Sequence, residues 1–153
     1  LVAKNGYACA LLQRSRPRKT YHALTLGGPA SDSGIIDAPI ARKPLPSLLR
    51  EVRPDGKPSR TEYRVLERGE ALCRLALPPV TGRTHQLRLH CAYMGFPIVG
   101  DPQYGSAEAL TWAERLGVSG QQLCAKRLEL SHPVTGQALV LESGMDVLPA
   151  SRL

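Results

Sequence analysis

An α+β domain, with a mostly antiparallel mixed sheet and a few flanking helices, is what this 153-residue sequence predicts. Three observations carry the expectation. Short apolar or alternating segments recur along the chain, punctuated by 13 prolines and 14 glycines. Two of these segments, at 123–131 and 137–142, flank the turn His132-Pro133-Val134-Thr135-Gly136, as the arms of a hairpin do. Between the strand-like segments, a few stretches repeat apolar residues at helical spacing instead.

Taken in order, residues 1–5 read as the end of a buried strand, and 6–15 as a short helix with Ala10 and Leu11 inward. The basic residues Arg14, Arg16, Arg18 and Lys19 follow, broken by Pro17. Residues 20–26 are predicted as a strand, 27–34 as a turn-rich loop, and 35–40 as strand pieces interrupted by Pro39. Residues 41–57 are basic, proline-containing and weakly patterned, and are expected to form an exposed, mobile loop. In 61–66, Thr61, Tyr63 and Val65 alternate with Glu62 and Arg64. In 72–77, Cys73, Leu75 and Leu77 share one face before Pro78-Pro79 ends the strand. Residues 84–94 are predicted helical, with Leu87, Cys91 and Met94 inward, Thr84 as N-cap and Gly95 just past the C-terminus. A strand fragment at 98–102 runs into a turn, and a helix over 107–116 starts from Ser106 as N-cap.

Composition narrows the function classes. At 42% hydrophobic and 5% aromatic, the chain can bury a core made mostly of Leu, Val, Ile and Ala. No apolar run approaches the roughly 20 residues of a membrane span. The first residues carry neither a basic n-region nor a cleavage site, and a cytoplasmic location is expected. Cys9, Cys73, Cys91 and Cys124 are scattered without CxxC spacing, which fits reduced cysteines acting as small hydrophobes. The net charge of +7 is uneven: residues 1–100 hold 16 Lys/Arg against 7 Asp/Glu, whereas 101–153 hold 4 against 6. Fifteen of the 20 basic residues are Arg, whose planar fork suits phosphate and base stacking, so a polyanion such as nucleic acid is a natural partner.

The densest polar cluster is Thr81-Gly82-Arg83-Thr84-His85-Gln86-Leu87-Arg88-Leu89-His90, where a glycine leads into a helix. Free N–H groups at a helix start favour an anion. Arg83 and Arg88 oppose the helix dipole there, and therefore imply a paired acid or a bound anion, the plainer alternative being a solvated helix end. A zinc site from His85, His90, Cys91, Cys124 and His132 is disfavoured, because a separation of five residues does not put His85 and His90 on one helical face. No metal is expected. His85 is within range of a general-base role, but no Ser or Cys nucleophile is spaced to serve it, and a structural, hydrogen-bonded histidine is the expectation.

The stretch 81–105, TGRTHQLRLHCAYMGFPIVGDPQYG, resembles the signature of the RluA-type pseudouridine synthases. Other pieces agree in order: LVAKN at 1–5, Lys19-Thr20-Tyr21-His22-Ala23-Leu24, Gly56-Lys57-Pro58-Ser59-Arg60-Thr61-Glu62-Tyr63, and 123–136 with its His-Pro-x-x-Gly turn. The resemblance thus covers nearly the whole chain. It implies the pseudouridine synthase catalytic-domain fold and conversion of uridine to pseudouridine in rRNA or tRNA by a monomeric enzyme that needs no metal or organic cofactor. The base is flipped out, detached from its sugar, rotated and rejoined through carbon. By motif position Tyr21 corresponds to the active-site tyrosine, although on spacing alone it is an ordinary strand tyrosine. Arg88 corresponds to the arginine paired with the catalytic aspartate, and Leu123 to an aliphatic residue beneath the base. Arg83, Thr84, His85 and Gln86 fall in the same motif as supporting or RNA-facing residues.

The family's His-Arg-Leu-Asp motif, with its catalytic aspartate, is absent from the sequence, and Asp32, Asp37, Asp55, Asp101 and Asp146 do not stand in that context. Residues 1–153 are therefore expected to be a partial catalytic domain that begins mid-domain, is inactive alone and is marginally stable. Asp101, in a Gly-Asp-Pro turn, is expected to be structural. The alternative reading is a non-catalytic RNA-binding module of the same fold.

Overall fold

The computed structural model describes residues 3, 5–15 and 17–150. Asn5 accepts the Ala8 N–H at 2.8 Å and so caps the first helix, α1 (Gly6–Arg14). Leu1, Val2 and Lys4 of the expected opening strand, and Arg16, lie outside the described residues. Ala10 is exposed rather than inward: α1 is covered on little of its surface, and only Ala8, Leu11 and Leu12 among its apolar residues are half-buried.

Six strands form one antiparallel sheet: β1 (Arg18–Leu26), β2 (Ser33–Asp37), β5 (Arg60–Arg68), β6 (Leu72–Leu77), β7 (Leu123–Ser131) and β8 (Ala138–Glu142). Their order is β2-β5-β6-β1-β7-β8, so β6 and β1 are central. β3 (Ile40–Arg42) and β4 (Arg50–Val52) make a separate two-stranded ribbon. Residues 41–57 are thus a built ribbon and not a loose loop. Ile40 exchanges backbone hydrogen bonds with Lys57, and the Arg50 N–H is bound by the Tyr104 hydroxyl at 2.9 Å. Those partners are distant in sequence, which is why the local pattern was weak.

Both faces of the central strands are covered. On one face Ala23, Leu75 and Leu77 pack with Leu87 and Cys91 of α2 (Gln86–Tyr93), together with Phe96, Ile98 and Ile36. On the other, Leu24 and Leu72 meet Val99, Ala113 of α3 (Ala107–Arg115), Val147 and Ala150. This sandwiching explains why β6 is buried on both sides, and not only at Cys73, Leu75 and Leu77. It also leaves Met94, at the end of α2, 44% exposed, because the Gly95 turn carries the chain away and Phe96 fills the inward position. Ser106 caps α3 as expected, accepting the Ala109 N–H at 3.1 Å.

Asp146 fastens the C-terminal segment to the sheet, receiving Arg74 at 2.6 Å, His22 at 2.9 Å and Lys126 at 3.2 Å. Among the described residues, no helix is long and apolar enough to cross a membrane.

Gly100 sits at φ +73°, and a Cβ there would lie 2.5 Å from the Gly120 carbonyl oxygen. Gly27 has a similar φ of +66° but open space around it. Both alanine variants are expected to lose about 1–2 kcal/mol for the left-handed backbone. Gly100→Ala should lose distinctly more than Gly27→Ala in urea denaturation, and equal losses would contradict the steric account.

Candidate active site

A β-bulge re-aims the sheet where Tyr21 sits. Tyr21 pairs with Ala125 but Thr20 pairs with Arg127, so Lys126 is an extra residue on β7. Tyr21, Ala23 and Leu123 then share the face that looks toward α2. The stretch 79–88 closes over this face, leaving a cavity of about 190 Å³. Tyr21, Arg83, His85, Gln86, Arg88 and Leu123 all line it, and no Asp or Glu among the described residues does. The structure therefore gathers six of the seven candidates from opposite ends of the chain. Thr84 is the exception. It is exposed and lines a neighbouring cavity instead.

Thr84 is also not the N-cap of α2. The flanking residue is His85, in the left-handed region at φ 57°, and its side chain caps nothing. The loop before the helix is instead held by the Gln86 side chain, inside the first turn. Its Oε1 accepts the Thr81 hydroxyl at 2.8 Å and the Arg83 N–H at 3.0 Å, while its Nε2 donates to the Arg60 carbonyl at 2.9 Å and to Thr61 Oγ1 at 3.0 Å. These partners fix the orientation of the amide, because a flipped amide would oppose like groups.

The chain of bonds continues inward. His90 Nε2 lies 3.0 Å from the Ala38 carbonyl oxygen, which only accepts, so Nε2 carries the proton. Thr61 accepts from Gln86 and donates its own proton to His90 Nδ1 at 2.9 Å. His90 is then the neutral tautomer, as its surroundings require: burial lowers its pKa below the usual imidazole value, against the Ala38 carbonyl and Asp37, which raise it. His90 is fully buried and His85 is not, so the two histidines serve separate surroundings. Among the described residues, no three His, Cys, Asp or Glu side chains come together in a way that could hold a metal ion.

Arg88 meets Asp101 through two parallel bonds, Nε to Oδ2 at 2.7 Å and Nη2 to Oδ1 at 2.6 Å. This is the paired acid that a basic residue near a helix start implied. Asp101 is 1% exposed and also accepts the N–H groups of Gln103 and Tyr104. Burial opposes its ionisation, but the bonds from Arg88, Gln103 and Tyr104 outweigh burial and hold its pKa below the usual carboxylate value. The Asp101 of the Gly-Asp-Pro turn is structural, as expected, and its work is to aim Arg88 at the cavity.

Tyr104 is a residue of the site that the sequence reading passed over, although it stands in the quoted motif. Its ring lies 5.1 Å from the Arg88 guanidinium carbon, and its hydroxyl takes the Arg50 N–H and contacts His85 Nδ1 at 3.1 Å. Burial lowers the His85 pKa, the charges of Arg88 and Arg50 lower it further, and Asp101 offsets only part. His85 is accordingly neutral near pH 7. Arg50 keeps one buried guanidinium nitrogen, Nη1, without a hydrogen-bond partner.

The family model described as RNA pseudouridylate synthase matches residues 1–93. The chain is 43% identical over 134 residues to the ribosomal large subunit pseudouridine synthase D of Nitrosomonas europaea, covering 86% of this chain and 39% of that protein. It is 38% identical over 135 residues to the dual-specificity RNA pseudouridine synthase RluA of Salmonella typhi, covering 85% and 58%. Among solved structures, the human RNA pseudouridylate synthase domain containing 1 aligns with a TM-score of 0.79 at 28% identity, covering 94% of this chain and 62% of that one. This chain belongs to the RNA pseudouridylate synthase family, of the RluA type. It spans from about two fifths to under two thirds of the length of these relatives.

Two outcomes follow from the buried groups. Asp101→Asn strands the Arg88 guanidinium and should cost about 3–5 kcal/mol in urea denaturation. A loss below about 1 kcal/mol would contradict the pairing. His90 has a folded pKa below its reference value of 6.5, so the folded state binds fewer protons than the unfolded chain as pH falls through that region. Its stabilisation is complete above pH 6.5 and is lost on acidification. The Asp101 contribution persists further, since its folded pKa lies below 3.8. The thermal midpoint should fall between about pH 8 and pH 5, and a flat midpoint over that range would refute the assignment of a neutral His90.

Proposed function

We propose that this chain forms the base-binding part of an enzyme that converts uridine to pseudouridine in structured RNA, rRNA or tRNA. The observation that carries the reading is the single small cavity lined by Tyr21, Leu123, Arg83, His85, Gln86 and Arg88. Tyr21 and Leu123 give a flipped uracil an apolar floor, while Arg83 and the neutral His85 offer polar contacts at its rim. Asp101 occupies one edge of the Arg88 guanidinium, through Nε and Nη2, leaving Nη1 for a group entering the cavity.

The reaction breaks the bond from the sugar C1′ to N1 of uracil and forms a bond from C1′ to C5. N1 ends with a proton, and C5 gives up its hydrogen. The attacking carboxylate would come from the family's His-Arg-Leu-Asp motif, since none of the described Asp or Glu residues lines the cavity. Arg88 would meet that carboxylate with its remaining N–H groups, and charge of this sign keeps a neighbouring carboxylate ionised. The Nitrosomonas relative is named for the ribosomal large subunit, which favours rRNA as the target. A monomeric, cytoplasmic protein is consistent with this reading. The second reading is an RNA-binding module of the same fold without activity.

Loss of the C5 hydrogen gives the test. RNA carrying tritium at uridine C5 is incubated with this chain and with the gene product extended upstream. Release only by the extended protein is the expected result, falling about 10²- to 10⁴-fold in Tyr21→Ala if the tyrosine transfers a proton. Release by neither protein, on any RNA offered, would favour the binding module.

A further inference from the structure

A second cavity, of about 530 Å³, lies between the β3–β4 ribbon and the loop that leads into α2. Arg42, Arg50, Lys57 and Arg83 line it, with one acid, Asp55. That carboxylate is already ion-paired with Arg53. Among the described residues, none of the four lining cations makes an ion pair. Four cations outnumber the one acid, so like charges repel one another here, and Arg50, which lines the same space, keeps a buried, partnerless Nη1. Such an arrangement favours a bound anion.

The position of this cavity says which anion. Gly82 and Arg83 line both it and the smaller cavity that holds Tyr21 and Leu123. The two are therefore neighbours across one residue pair. Neither backbone nor packing demands a glycine at 82, since its φ is not left-handed and an added Cβ would meet nothing within 4 Å. What the glycine supplies is a low wall between the cavities, over which a chain can pass. A polynucleotide with one base in the smaller cavity can run its backbone over this wall into the larger one.

Resting on the pseudouridine synthase reading, we propose that the larger cavity receives the nucleotide adjacent to the target uridine, its phosphodiester held by Arg42, Arg50, Lys57 and Arg83. The ribbon then belongs to the substrate-binding surface, and its attachment through Tyr104 holds that surface in register with the base pocket.

The test is binding, measured by fluorescence anisotropy of labelled decauridylate titrated with this chain at several KCl concentrations. Arg42→Gln and Lys57→Gln replace exposed side chains, so folding is not at stake. Each should weaken binding, and each should flatten the slope of log affinity against log salt by about 0.7, the share of one single-strand phosphate contact. Arg115→Gln, exposed on α3 across the sheet, should change neither quantity. Unchanged slopes for both ribbon variants would overturn the proposal. So would an equal effect of Arg115→Gln, or no binding by the unaltered chain. These outcomes leave isomerisation to the tritium assay, and a negative tritium result with the expected binding pattern would leave the phosphate site standing.

Discussion

The side-chain amide of Gln86 holds this structure together where it counts. All four of its hydrogen-bonding positions are filled, two by the loop at Thr81 and Arg83 and two by β5 at Arg60 and Thr61. Through Thr61 the bonds run on to His90 and to the Ala38 carbonyl, next to the start of the β3–β4 ribbon. Gln86, Thr61 and His90 are all buried. In such surroundings a half-formed network is worse than none, since each unpaired group keeps its full desolvation cost. The wall of the base cavity and the root of the ribbon are thus set by one continuous chain of donors and acceptors.

Much of the fold was legible because periodicity reports burial. The strand 123–131 and the Ser106 cap fall where the pattern put them, since both depend on neighbours in sequence. The failures share a cause. Ala10 and Met94 occupy inward positions on a helical wheel, but nothing packs on those sides. β6 looked one-sided because Leu72 was not recognised as facing a second layer, which comes from α3 and the C-terminal segment. The ribbon has no local pattern because Lys57 and Tyr104 stabilise it from afar.

The site was legible in a different way. Tyr21 on spacing alone is an ordinary strand residue, and only the resemblance singled it out, along with Leu123. A motif names residues without saying what they touch. It did not reveal that the acid answering Arg88 is Asp101, thirteen residues along the same signature, nor that His85 rather than Thr84 takes the turn into α2 with a left-handed backbone. Arg42 and Arg50 read as a solvated basic stretch because their grouping depends on how the ribbon folds back.

The bulge at Lys126 sets the parity of the sheet beyond it. On its far side Arg127 pairs with Thr20, and on its near side Ala125 pairs with Tyr21. The extra residue lets Leu123 face the base cavity while, further along β7, the hairpin with β8 keeps its own alternation. Side chains in a strand alternate strictly, so a one-residue deletion here would put the two halves of β7 out of phase. Either Leu123 would turn its back on Tyr21, or the whole hairpin would roll over. This stretch of the gene can therefore absorb substitutions far more readily than a change of length.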